Sequence, residues 1–147
     1  MTRSDLNIHL NSLFSDLKED TVDRIIYDAP HTEITGIAVA WMPYRETIQK
    51  AMDLGANVLV THEPTFYISR DLRDDHLGGQ EVDDKREWLD AQDITIIRCH
   101  DVWDAIPDIG IPYAWAISSN WGHPASRSAI RKSMTFHRRK PSSSQRE

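Results

Sequence analysis

Residues Asn57–Tyr67 read NVLVTHEPTFY, and the folding of this stretch decides what the rest of the chain must be. Asn57 to Thr61 is apolar or β-branched with almost no polar alternation, the pattern of a strand covered on both faces. Strands of that kind are usually parallel and central, and they deliver the chain into the crevice where open α/β sheets place ligands. Here the delivered residues are His62, Glu63 and Pro64. Pro64 has no amide hydrogen and biases Glu63 towards extended backbone, so strand pairing should stop and the chain should splay away. His62 and Glu63 then point to different sides, and both reach one ion only if the backbone bends. The plainer reading is a histidine that merely hydrogen-bonds at a strand end.

On the amino-terminal side, Ile34 to Trp41 (ITGIAVAW) is a second apolar run closed by Pro43. Tyr44 to Leu54 then reads as a helix, with Pro43 suited to its first turn, Ile48, Ala51 and Met52 on one face, and Gly55 as the stop. Strand, helix of about three turns and strand make a βαβ unit, which leaves its two strands parallel. On the carboxyl side, Tyr67 to Gly79 is polar and ends in Gly78-Gly79, so a loop is expected. Asp83 to Gln92 reads as a helix contacting the core through Trp88 and Leu89. Ile94 to Arg98 (ITIIR) is again a β-branched strand, and it runs into Cys99-His100-Asp101. Two successive helix-then-strand units would bring His62 and His100 to the same edge of one parallel sheet.

The remaining segments are peripheral to that unit. Ser4 to Leu17 carries Leu6, Leu10, Leu13, Phe14 and Leu17 at helical spacing, with Thr2 or Ser4 as the cap. Val22 to Tyr27 is a short strand and Asp28 to His31 a turn. After Asp104, Pro107, Gly110 and Pro112 favour a loop, and Tyr113 to Ile117 begins a helix. Beyond Ser118 no apolar face can be drawn. The fold class expected is therefore α/β, a mostly parallel sheet built from βαβ units with flanking helices. Residues 1–117 form the domain and 118–147 a basic tail, disordered or read out of frame.

With 147 residues the chain fits one domain with a real core. No apolar run reaches the roughly 20 residues of a membrane span, and the first residues lack the features of a secretory signal. One cysteine, Cys99, permits no internal disulfide, in keeping with a reducing cytoplasm. The net charge is −6, unevenly spread: from Arg127 onward there are seven Lys or Arg against one Glu, leaving 10 cations and 22 anions before it. An acidic body argues against nucleic acid as the main partner, since phosphate binding needs a basic face.

The candidate chemistry lies in His62, Glu63, His100, Asp101 and Asp104. Imidazole and carboxylate without thiolate suit a divalent ion such as zinc, manganese or iron, and a pair of ions would need carboxylates as bridges. Such an ion lowers the pKa of a coordinated water from near 15.7 to about 7, which is the basis of metal-assisted hydrolysis. Other chemistries fare worse. Gly78-Gly79 lacks the lysine and helix of a phosphate loop, and Ser118 has no nucleophile-elbow setting. Cys99 and His100 are neighbours on a strand end and point to opposite faces, so Cys99 reads as a buried structural residue.

On these motifs the chain resembles the Nif-three-like dinuclear-metal family, also labelled GTP cyclohydrolase 1 type 2. The resemblance covers roughly residues 22 to 115. It rests on a strand ending in His62-Glu63-Pro64, where the family has His-His-Pro, and on a later strand ending in His100-x-x-x-Asp104. It implies that His62 is a metal ligand and Asp104 a ligand of bridging type, with Glu63 standing where the second histidine stands. A His-Glu-Pro branch of the family with His-Asp after the second strand would make Asp101 functional too. It also implies self-association into ring-shaped hexamers and metal-dependent hydrolysis, with the purine ring of GTP as the substrate the label suggests. The family's further His-x-x-x-Glu pair has no counterpart: four residues after His123 and His137 stand Arg127 and Pro141. Two functions are therefore expected in competition. One is a metal-dependent hydrolase; the other is a non-catalytic metal-binding scaffold or a truncated remnant.

Overall fold

The computed structural model describes residues 1–17, 19–30, 33–67, 71 and 79–120. It divides into two compact units, Met1–Ile106 and Pro107–Glu147. The first unit contains, in chain order, α1 (Arg3–Ser12), β1 (Arg24–Tyr27), β2 (Ile37–Ala40), α2 (Arg45–Asp53), β3 (Val58–Thr61), α3 (Gly79–Asp90), β4 (Thr95–Arg98) and α4 (Asp101–Ala105). The described part of the second unit holds α5 (Ile111–Ser118). The tail expected from residue 118 falls almost wholly outside the described residues, as does most of the loop expected between Tyr67 and Gly79.

The sheet runs β1-β4-β3-β2. β2 pairs parallel with β3 and β3 parallel with β4, in the registers Val39↔Val60 and Val60↔Ile97. β1 joins the far edge antiparallel to β4. The mostly parallel α/β expectation is thus met, and Val58–Thr61 is an inner strand, as its lack of alternation demanded. Two cores form because residues on a strand alternate between faces. Leu59 and Ile96 point to the face covered by α2 and α3, where they join Ile48, Ala51, Val82 and Leu89. Val58 and Ile97 point to the other face and meet Leu6 of α1, flanked by Leu10, Ile25 and Val60. Each such fully buried aliphatic side chain contributes about 1.5–3 kcal/mol.

The helix boundaries depart from the periodic pattern where local hydrogen bonding overrides it. α1 starts with a capping box: Thr2 Oγ1 accepts the Asp5 amide and the Asp5 carboxylate accepts the Thr2 amide. It ends at Ser12, not Leu17, and Leu13 is the exposed C-cap. Pro43 precedes the N-cap Tyr44 of α2 instead of occupying its first turn. Gly55 closes α2 at φ +85°, a conformation that suits glycine. α3 begins at Gly79, four residues earlier than the apolar spacing suggested.

Asn57 welds β3 to the start of β2. Its carboxamide oxygen accepts the Thr35 amide at 2.9 Å and its nitrogen donates to the Glu33 carbonyl at 2.8 Å. At the opposite end, the Glu63 amide donates to the Trp41 carbonyl at 3.0 Å, the last contact between the two chains before Pro64. No helix among the described residues is long and apolar enough to cross a membrane.

Candidate metal centre

β3 and β4 are adjacent and parallel, so the residues that follow them leave the sheet side by side. His62 and His100 meet as stacked rings, centroids 4.3 Å apart. Trp41, leaving β2 at the same edge, stacks on the other face of His62, also at 4.3 Å. One donor atom each from His62, Glu63 and His100 all lie within 4.8 Å of one another. The bend after Thr61 therefore brings imidazole and carboxylate to one side, which a straight strand could not do.

Asp104 enters from α4, one turn beyond His100. Its carboxylate lies 3.8 Å from His62 Nε2 through one oxygen and 4.0 Å from His100 Nδ1 through the other. Both distances exceed a hydrogen bond. Among the described residues, His62 Nδ1 and Asp104 Oδ1 are buried without a hydrogen-bond partner. Orphaned atoms of this kind are uncommon in folded interiors and call for a partner that the polypeptide does not supply. Asp101 is placed differently. One of its oxygens accepts from Thr21 Oγ1 at 2.9 Å and from the Val22 amide at 3.3 Å, while the other faces His100 Nδ1 at 3.1 Å.

The electrostatics suit a cation. Burial holds the His62 imidazole below its ordinary pKa, and the facing His100 pushes the same way, against the pull of Asp104 and Glu63. A neutral imidazole is the form that donates a lone pair to metal. Burial pushes the Asp104 carboxyl up, opposed by the two histidines. For Asp101, burial also acts upward, but hydrogen bonds from Thr21, Val22 and His100 outweigh it and hold the carboxyl below its usual value. Cys99 takes no part: burial pushes its thiol up to about 11, which leaves it protonated and inert.

The sequence alone did not single out Trp41, Thr21, Asp23, Asp71, Lys85 or Arg98. Trp41 had a signal, since it ends an apolar run at the same sheet edge as His62. The others act through backbone groups or side chains that only the fold brings near, and no spacing rule finds such contacts.

No family model and no curated protein matches the sequence. Solved structures match it in fold. The Staphylococcus aureus hypothetical protein SA1388 aligns with a TM-score of 0.61 and 20% identity over 82% of this chain and 34% of that one. A protein named ybgI, of unknown function, aligns with a TM-score of 0.56 and 20% identity over 80% of this chain and 46% of that one. A Bacillus cereus protein described as related to NIF3 aligns with a TM-score of 0.43 and 23% identity over 68% of this chain. The first two carry the comparison, and at such identity the likeness is one of fold. It bears out the fold expected from the Nif-three-like resemblance. This chain spans between about a third and a half of the length of those two structures.

Proposed function

We propose that the chain binds a divalent metal ion through His62, Glu63, His100 and Asp104, and that the site is of metal-dependent hydrolase type. The observation that carries this reading is the convergence of His62, Glu63 and His100 from two strand ends, one donor atom each within 4.8 Å, beside an Asp104 oxygen that lies 3.8 Å from His62 Nε2 and is buried without a polypeptide hydrogen-bond partner. Two nitrogens and two carboxylates form a donor set for zinc, manganese or iron. A bound ion of this class supplies Lewis acidity and an activated water.

The chain's own residues do the rest. Trp41 covers one face of His62. Asp101, tied to Thr21 and Val22, orients the His100 ring, the role that carboxylates commonly play behind metal-bound histidines. Asp104 brings a carboxylate whose pKa burial raises, a charge that a bound cation would favour.

A second reading, a metal-binding module without turnover, is favoured by the donor count. One cluster is found among the described residues, and it suffices for one ion. Metal analysis after loading with manganese, iron or zinc separates the outcomes. About one equivalent per chain, lost in His62→Ala, is the expected result. Two equivalents would point to further ligands and strengthen the dinuclear hydrolase reading. No bound metal would end both readings.

A further inference from the structure

The two ligand-bearing turns share a difficulty. The strand ladder has ended or the helix has not begun, so their peptide groups need partners from elsewhere. One buried carboxylate solves this for each turn. Asp23, 2% exposed, accepts the amides of His100 at 2.7 Å, Asp101 at 3.0 Å and Val102 at 2.7 Å. Asp71, 6% exposed, accepts the amides of Thr65 at 2.9 Å and Phe66 at 2.8 Å. Arg98 lies 3.6 Å from Asp71 and donates Nε–H to the His62 carbonyl at 3.1 Å, so the charge that balances Asp71 also holds the metal-ligating residue. Lys85 closes the far side, donating to the carbonyls of Thr65 and Pro43, each at 2.6 Å.

We infer that Asp23 and Asp71 are positioning residues of the metal centre, each fixing one of the two turns whose spacing sets the distance between His62-Glu63 and His100-Asp104. This rests on the metal-site reading above. Neither carboxylate is a member of the donor cluster. Each is spent on backbone amides, charge-assisted bonds that are shorter and stronger than neutral ones. A metal site tolerates little slack, and a turn released by even about 1 Å loses much of its affinity. The segment that supplies Thr21 and Val22 to Asp101 thus also supplies Asp23, whose carboxylate joins the first turn of α4 to the start of β1.

The test uses the full-length chain titrated with Co²⁺ and followed by its visible d–d absorption, which reports both affinity and coordination geometry. Four proteins are compared with wild type: Asp23→Asn, Asp71→Asn, the double variant Asp71→Asn with Arg98→Gln, and Val82→Ala as a control. The double variant removes both charges of the Asp71–Arg98 pair together. Val82→Ala weakens the α3 core and removes none of the hydrogen bonds that hold the two turns. The expected result is a loss of Co²⁺ affinity of about 10- to 100-fold in the aspartate variants, as for other residues that orient ligands. It should come with altered d–d bands at saturation, while Val82→Ala keeps wild-type affinity and bands. Folded aspartate variants that bind Co²⁺ with unchanged affinity and bands would overturn the inference and leave the metal site standing. An affinity that merely tracks stability, Val82→Ala included, would also overturn it. A wild-type chain that shows no Co²⁺ bands would overturn the metal site itself. If the single Asp71 variant fails to fold, Asp23→Asn decides the matter by the same readings.

Discussion

Lys85 gives the sharpest quantitative prediction. Its side chain is 1% exposed, its ammonium donates to two carbonyls at 2.6 Å, and it sits 4.5 Å from the centre of the Tyr67 ring. Burial nevertheless lowers its pKa from 10.5 to about 8. The carbonyls and the ring therefore do not fully replace the water that the ammonium gives up. A folded-state pKa below the unfolded value means that the unfolded chain binds the proton more tightly. The ionised lysine costs the fold about 3 kcal/mol at neutral pH, and this cost shrinks as pH rises from about 8 towards 10.5. Between about pH 7 and pH 9.5, linkage predicts a gain in stability of about 2 kcal/mol from this residue alone.

The assay is urea unfolding of the wild type and of Lys85→Met across that range. Other titrating groups are common to both proteins and cancel in the difference. The wild-type curve should climb relative to the variant by about 2 kcal/mol. Parallel curves would refute the reasoning, because they would mean that Lys85 keeps an ordinary pKa and that its desolvation is fully compensated. The variant should also lose metal affinity at every pH, since the Thr65 and Pro43 carbonyls lose their shared donor. The chain keeps a costly lysine, on this account, because its amine joins the turn after β3 to the turn after β2.

Three further outcomes are expected. Binding of paramagnetic Co²⁺ should quench tryptophan fluorescence through the Trp41–His62 stack at 4.3 Å, and Trp41→Phe should remove most of the change; an undiminished change would place the quenched indole elsewhere. Cys99, with a thiol pushed up to about 11, should react with a disulfide reagent near pH 8 on the order of 100-fold more slowly in the folded than in the unfolded chain; equal rates would show that burial neither shields the thiol nor raises its pKa. Gly36→Ala should destabilise the fold by about 1–3 kcal/mol in urea unfolding. A Cβ there would stand 2.9 Å from the Gly55 carbonyl oxygen and 3.1 Å from Ala56 Cα, both backbone atoms with little room to yield. A change of less than about 0.5 kcal/mol would mean that the β2–β3 start is softer than its hydrogen bonds suggest.

The parallel unit was legible because its signals were local. The unbroken apolar run before His62, the helix closed by Gly55 and the second β-branched run before Cys99 each state their own structure. Their order alone leaves few topologies. The antiparallel edge strand was not legible. β1 reads as a short strand in sequence, but nothing in Arg24–Tyr27 says that it pairs with β4 or in which direction. The overlong α1 has a related cause. Leu13 and Leu17 continue the helical spacing, yet the chain leaves the helix at Ser12, so periodicity described composition and not burial.

The candidate site divides along the same line. His62, Glu63, His100 and Asp104 are legible as candidates because metal-donor types stand at the ends of recognisable strands, and adjacent parallel strands must bring such ends together. Asp101 is a candidate on the same ground, and nothing in the sequence distinguishes its setting from that of Asp104. The distinction lies in Thr21 and Val22, some 80 residues earlier, which take one of its oxygens. Asp23 and Asp71 are still less visible: as residue types they look like any surface aspartate, and only the fold turns them inward. Candidate donors are thus written locally, while the spacing that would let them act together depends on contacts that only the folded chain makes. A chain that kept every ligand but lost Asp23 or Asp71 would still carry the sequence motif, and would differ from the wild type in the one property the motif does not encode, the affinity of the assembled site.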